Sequence, residues 1–211
     1  MSIKSGTLHV EDPTPRVLCG QGVAPAAATL EHFAALGLDF VPGTGLLAAS
    51  VPGAWDAWLT LLRDHGTKPL REVLGYGISY ARGGFPVVER ISATVAAVAD
   101  LFAEHWPTSA ALWLPGGRPP AVRYANPTLA DTWERLLAEA ESATGREAQI
   151  EAARRAWSQG FVAEAVDSFC RGLPRRLGAR SCWRVDRRGH GWVVGELRAS
   201  GDCRPRRVDV G

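Results

Sequence analysis

The sequence predicts a mainly α-helical chain with short β-strands near its N-terminus. Three observations carry this. Apolar residues recur at three- and four-residue spacing in successive stretches from Leu30 to Phe169, the period of one helix face. Prolines and glycines stand at the borders of most of those stretches, where helices start and stop. Strand and helix signals do not alternate in the βαβα order of a doubly wound sheet.

Residues 1–16 are polar, carry Pro13 and Pro15, and read as a loose lead-in. Arg16 to Gly22 predicts a short strand, RVLC, ending in the turn Gly20-Gln21-Gly22. Leu30, Phe33, Ala34 and Leu36 predict a helix over Pro25 to Leu36, with Pro25 in its first turn and Gly37 at C′. LDFVPGTGLLAASVPG has apolar residues without helical period; extended segments joined by turns are expected, with a strand over Leu46 to Val51.

Trp55, Trp58, Leu59 and Leu62 form the apolar face of the next helix. Gly66 is expected to stop it in a left-handed conformation. Thr67 or Lys68 then caps a helix with Pro69 at or near N1 and the face Leu70, Val73, Leu74 and Ile78. Gly75 and Gly77 cost this helix ~1 kcal/mol each relative to alanine, so it is either broken or closely packed there. Val88, Ile91, Val95, Val98 and Phe102 predict one long helix reaching Trp106, preceded by Pro86 and ended by Pro107. LWLPGGRPPAVRYANP reads as an irregular loop. Asn126 caps a helix with Pro127 at N1 and the buried face Leu129, Trp133, Leu136, Leu137 and Ala140. A last pair covers Glu147 to Gln159 and Phe161 to Cys170 about Gly160, with Ile150, Ala153, Trp157, Val162, Val166 and Phe169 inward.

The 211 residues are 46% hydrophobic and 22% charged, enough to build a core. No apolar run reaches the ~20 residues that span a bilayer. The N-terminus lacks a basic region followed by an apolar one, so a cytoplasmic location is expected. Cys19, Cys170, Cys182 and Cys203 lack CxxC spacing, which argues for free thiols rather than a disulfide framework or zinc site. Residues 1–171 hold 14 Lys+Arg against 18 Asp+Glu; residues 172–211 hold 10 Arg against 4 acids. The body is therefore mildly acidic and the tail basic. The tail has too few apolar groups to offset an ordering cost of ~1–2 kcal/mol per residue, so it is expected to be largely disordered, with one strand around Trp192. Its arginines are not interleaved with aromatics, and no nucleic-acid motif accompanies them. The composition break at about Arg171 is what a shifted frame in GC-rich coding sequence would give.

No GxSxG, SxxK or HExxH motif occurs. The run Gly43-Thr44-Gly45-Leu46-Leu47-Ala48 nominally fits GxGxxA, but it leads into a predicted strand, so a tight turn is the better reading. His65 reads as a helix C-terminal cap and His32 as a surface or half-buried residue. His9, Glu11 and Asp12 lie in the lead-in, with nothing to hold them at catalytic precision. Glu139 and Glu141 are two apart on a helix and face different directions. Trp55, Trp58, Trp133 and Trp157 fall at core positions, which leaves Trp113, in the loop, as a surface aromatic. On this reading no catalytic, cofactor-binding or metal-binding residue is assigned, and no cofactor is expected.

Four motifs in consecutive order now bear on identity: VPGAWDAWLTLLRDHGTKPLREVL, YARGGFPVVERI, LWLPGGRPPAVRYANPTLADTWERLLAE and GFVAEAVDSFCR. Together, over Val17 to Cys170, they resemble the gamma-glutamyltransferase (gamma-glutamyltranspeptidase) family. The resemblance implies the α/β sandwich of the N-terminal nucleophile hydrolases. It implies a precursor that cuts itself ahead of a threonine, which then carries a γ-glutamyl group to water, an amino acid or a peptide; glutathione is one donor. The matching positions belong to the helical part of the large subunit. No Asp-Gly-Arg-Glu run and no Thr-His dipeptide occurs in the chain, and the family's small-subunit Gly-Gly and Ser-Ser residues have no counterpart. After Cys170 the family pattern gives way to GLPRRLGARSCW.

The resemblance therefore implies a fragment, truncated at both ends, with lead-in 1–16, family segment 17–171 and off-pattern tail 172–211. It is expected to be inactive alone. The expected partners are a small-subunit-like chain or a second copy through exposed apolar faces, with γ-glutamyl substrate only in the complete protein and neither nucleic acid nor membrane. The alternative is a non-enzymatic helical module whose basic tail meets an acidic partner.

Overall fold

A computed structural model describes residues 16–172 and 197–199. Its described residues are mainly helical, with four short strands. In order these are β1 (Arg16–Leu18), α1 (Leu30–Ala35), α2 (Ala54–His65), α3 (Leu70–Gly83), β2 (Phe85–Pro86), α4 (Glu89–Ala97), α5 (Ala99–His105), α6 (Pro107–Trp113), β3 (Arg123–Tyr124), α7 (Pro127–Glu141), α8 (Arg146–Ser158), α9 (Phe161–Gly172) and β4 (Leu197–Ala199). The chain divides into two compact units, one of residues 1–66 with 154–211, the other of residues 67–153.

In the first unit β1 pairs antiparallel with β4, Val17 opposite Arg198. The predicted RVLC strand is thus present, and a strand from the basic tail lies beside it. The lead-in and Trp192 lie outside the described residues. The turn after β1 needs its glycines. Gly22 has φ +80°, and a Cβ there would stand 1.9 Å from the Val51 carbonyl oxygen. The Val51 N–H donates to the Val23 carbonyl at 2.9 Å. That single bond is the extent of the strand predicted over Leu46 to Val51, because Leu46–Ala48 form a short 3₁₀ turn instead. Leu-Leu-Ala has no β-branched residue to favour extension.

α1 is shorter than predicted. Thr29 accepts from the His32 N–H at 3.2 Å, which fixes the helix start there. Pro25 sits in a preceding turn, closed by the Ala28 N–H on the Pro25 carbonyl. Gly37, at φ +70°, takes the left-handed C′ position. Gly66 does not: its backbone is extended, with φ −89° and ψ 159°. Crowding explains the residue, since a Cβ would stand 2.7 Å from the Leu62 carbonyl oxygen.

The second unit is organised about the packing of α3 on α7. Pro69, expected at or near N1, is itself the N-cap of α3, so neither Thr67 nor Lys68 holds the cap position. The helix is unbroken across Gly75 and Gly77. Gly77 is where Trp133 packs, and a Cβ there would stand 3.0 Å from its ring. Leu70, Ala81, Ala130, Leu136, Leu137 and Ala140 are buried, while Val73 and Leu129 are exposed. Both outer residues lie at the edge of a face narrower than the sequence suggests. After α3, β2 pairs antiparallel with β3, Phe85 opposite Tyr124.

The long helix predicted from Val88 to Trp106 is two helices. Val98 leaves helical geometry, at φ −112° and ψ 13°, and ends α4 as it begins α5. Pro107 starts a further helix, α6, in the manner of a proline at N1. Trp113 accordingly ends a helix rather than standing in a loop, and it stacks on the buried Tyr124 with centroids 4.5 Å apart at 8°.

Asn126 caps α7 as predicted, accepting from the Leu129 N–H at 3.0 Å with Pro127 following. Asn126→Ala is expected to lower stability by ~1 kcal/mol, read from the urea midpoint. An unchanged midpoint would show that α7 is held by its packed face alone. α8 and α9 appear where predicted, with Ile150, Ala153, Ala163 and Cys170 buried. Phe169, predicted inward, is exposed.

Candidate functional site

In the first unit, two residues of α2 meet two of α8. The Arg154 Nε donates to Asp56 Oδ1 at 2.5 Å; the Asp56 side chain is buried and that of Arg154 half-buried. Trp55 stacks on Trp157, with centroids 5.2 Å apart at 20°. This pairing sets the rotation of α2. Asp56, Ala57, Leu59 and Thr60 turn inward, and Trp58 is left 66% exposed. The expectation of four core tryptophans is thus corrected: Trp58 faces out, and Trp55, Trp133 and Trp157 are half-buried. Apolar spacing cannot register a buried ion pair, so it placed the face about one residue off.

Four polar atoms here are buried without a hydrogen-bond partner: Asp56 Oδ2, Thr60 Oγ1 and the indole nitrogens of Trp55 and Trp157. A buried polar group left unpaired costs ~1–3 kcal/mol, so each is exceptional. The sequence signal for the pair was Asp56 itself, a charge among the apolar residues of VPGAWDAW.

In the second unit, the charged contacts between α3 and α7 are exposed. Arg71 meets Glu141 through Nε and Nη2, each at 2.5 Å. That hydrogen bonding holds the Glu141 carboxyl below its ordinary pKa and raises the Arg71 guanidinium. Arg82 Nη2 donates to both Asp131 and Glu134 at 2.8 Å. Glu139 pairs instead with Arg135 on its own helix at 3.3 Å. Glu139 and Glu141 do face different directions, but Glu141 is an ion-pair partner rather than a free carboxylate. Exposed pairs of this kind contribute little, ~0–1 kcal/mol each.

Two hollows among the described residues of this unit come into question as sites. One, of about 330 Å³, lies beside the Arg71–Glu141 pair and is floored by Leu70, Leu137 and Ala140. The other, of about 370 Å³, is an apolar furrow lined by Val88, Ile91, Val95, Val98, Phe102 and Trp113. Neither gathers the convergent polar groups that mark a small-molecule site.

The other residues singled out from sequence stay apart. His65 is the exposed last residue of α2, and His32 lies on α1. Thr29 and Glu31 meet, but as a helix cap. Glu31's own backbone N–H, then the Thr29 hydroxyl, holds that exposed carboxyl below its ordinary pKa. Gly43 and Gly45 have open space about them, and the chain after Gly45 is a short 3₁₀ turn. A phosphate-binding fingerprint needs a strand before the glycines and a full helix after them. His9, Glu11 and Asp12 lie outside the described residues. Among the described residues no group of three or more His, Cys, Asp and Glu lies close enough to hold a metal ion. No helix among them is long and apolar enough to cross a membrane.

Comparison with known proteins gives the arrangement its context. Residues 7–165 match the family model described as gamma-glutamyltranspeptidase. The chain is 33% identical over 147 residues to the Acylase ACY 1 proenzyme of Pseudomonas sp. (strain SE83), covering 64% of this chain and 26% of that one. It is 52% identical to the solved structure of LmbA2991HD, with TM-score 0.79, covering 87% of this chain and 32% of that one. The Helicobacter pylori gamma-glutamyltranspeptidase structure, at 18% identity, TM-score 0.58 and coverage of 80% and 50%, speaks for the fold alone. The helices described above are thus a helical portion of an N-terminal nucleophile hydrolase fold, and the chain spans about a quarter to a third of the first relatives it matches. With three-quarters of its length on the family model and four family motifs in order, the chain belongs to the gamma-glutamyltranspeptidase family.

Proposed function

We propose that this chain is the helical scaffold of a γ-glutamyl-transferring or -hydrolysing enzyme, and that it has no turnover by itself. The observation that carries this is what the matched third of the family pattern contains. It has the packed helices and the α2–α8 seam, but no Thr-His dipeptide at which a nucleophile could be released. Acyl transfer needs a nucleophile with an oriented base and preorganised oxyanion donors. On this reading a small-subunit-like chain supplies them, and residues 172–211 lie off the family pattern.

Purified chain mixed with a γ-glutamyl anilide is expected to release no aniline above the buffer rate. Clear turnover would overturn the proposal. Adding a polypeptide that carries the rest of the family pattern is expected to restore turnover and to co-purify with this chain. The DNA beyond the Arg171 codon tests the tail: another frame that restores the family pattern supports the division at 171.

A second reading concerns the acyl group only. The curated relative at 33% identity is called an acylase, which favours an acyl donor other than γ-glutamyl. Turnover of a simple acyl anilide but not of the γ-glutamyl anilide by the assembled complex would select it.

A further inference from the structure

Among the described residues of the first unit, Asp56 and Thr60 are the most enclosed polar ones, 5% and 1% exposed. They are four residues apart on α2, so they stand one above the other on the same face, with Cβ atoms ~5–6 Å apart. Asp56 Oδ1 is taken by Arg154, whereas Asp56 Oδ2 and Thr60 Oγ1 have no partner among the side chains and backbone around them. Two such atoms, one turn apart and both facing inward, share a need. The carboxylate oxygen requires a donor, and the hydroxyl can give or receive one bond.

We infer that Asp56 and Thr60 form a binding site for one ordered, buried water that bridges Oδ2 and Oγ1. The charge around the site decides the ligand class. The Arg154 guanidinium, 2.5 Å from the same carboxylate, repels a cation. The carboxylate repels an anion. A neutral molecule that donates to Oδ2 and exchanges one bond with Oγ1 meets both needs. Buried waters typically serve groups of this kind, with ~3 hydrogen bonds each. The ion pair and the water then work together: Arg154 fixes one carboxylate oxygen and the water fixes the other.

The test uses Thr60→Val, which keeps shape and removes the hydroxyl, in the full chain. Urea unfolding is expected to show the folding equilibrium constant falling about five-fold or more, since the water loses a partner and Asp56 with it. Thr60→Ser is expected to retain most of the parent value. In the Asp56→Leu, Arg154→Leu background the Thr60→Val cost is expected to vanish. A crystal structure should show one water within hydrogen-bonding distance of both oxygens. A Thr60→Val variant as stable as the parent, or more so, would overturn the inference, because an unserved hydroxyl is better removed. A direct Oγ1–Oδ2 contact would overturn it too. Loss of fold in both Thr60 variants would point to packing rather than hydrogen bonding and count against it.

Discussion

Arg154→Leu alone is expected to destabilise the chain by ~3–5 kcal/mol, because it leaves the Asp56 carboxylate buried without its counter-charge. The Asp56 carboxylate is buried beneath a half-buried guanidinium, so water replaces the lost partner poorly. Asp56→Leu alone is expected to cost less, because it removes the buried carboxylate together with its charge. The double variant should recover most of the loss, since two apolar residues of similar volume often serve as well as a buried pair. Urea unfolding of the parent, both single variants and the double variant gives the coupling energy directly. Additive effects would mean that the pair is solvated and that the rotation of α2 has another cause. The Trp55–Trp157 stack is the next candidate, and its near-parallel rings would then hold the seam.

Leu136→Ala is the second large effect, at ~2–5 kcal/mol, by loss of transfer energy and creation of a cavity. Leu136 is fully buried on α7, beside the equally enclosed Leu137. The loss is measured by the same unfolding curve, with an unchanged slope. A cost below 1 kcal/mol would show that the core about α7 collapses to fill the space. Leu129→Ala provides the contrast, since Leu129 was predicted on the same face but is 37% exposed and should cost far less.

Helix positions were legible because their signals are local. Asn126-Pro127 places a cap and a fixed φ at one point in the chain, and α7 begins there. Gly37 ends α1 through its own conformational freedom. The break at Val98 was not legible, because Val88 to Phe102 keep an unbroken helical period across it. The strand predicted over Leu46 to Val51 failed for the opposite reason: a strand needs a neighbour, and here the chain turns on itself, the Ala49 N–H donating to the Leu46 carbonyl.

The site readings divide in the same way. Setting aside Glu139 and Glu141 as a catalytic pair was possible from spacing alone, because residues two apart on a helix diverge. That Glu141 reaches Arg71, seventy residues away, was not. Trp113 looked like a loop aromatic until α6 carried it onto Tyr124. The Asp56–Arg154 pair joins residues ninety-eight apart: Asp56 stands out as a charge in an apolar run, but nothing within α2 names its partner.

By itself, then, the sequence determined that the chain is helical, where most helices start and stop, and which family its motifs resemble. All three rest on short-range chemistry: caps, fixed φ angles and the 3.6-residue period. Tertiary structure decided which face of each helix is buried. A face is chosen by what lies opposite, and a buried charge such as Asp56 can turn a helix to meet Arg154 even at the expense of exposing Trp58.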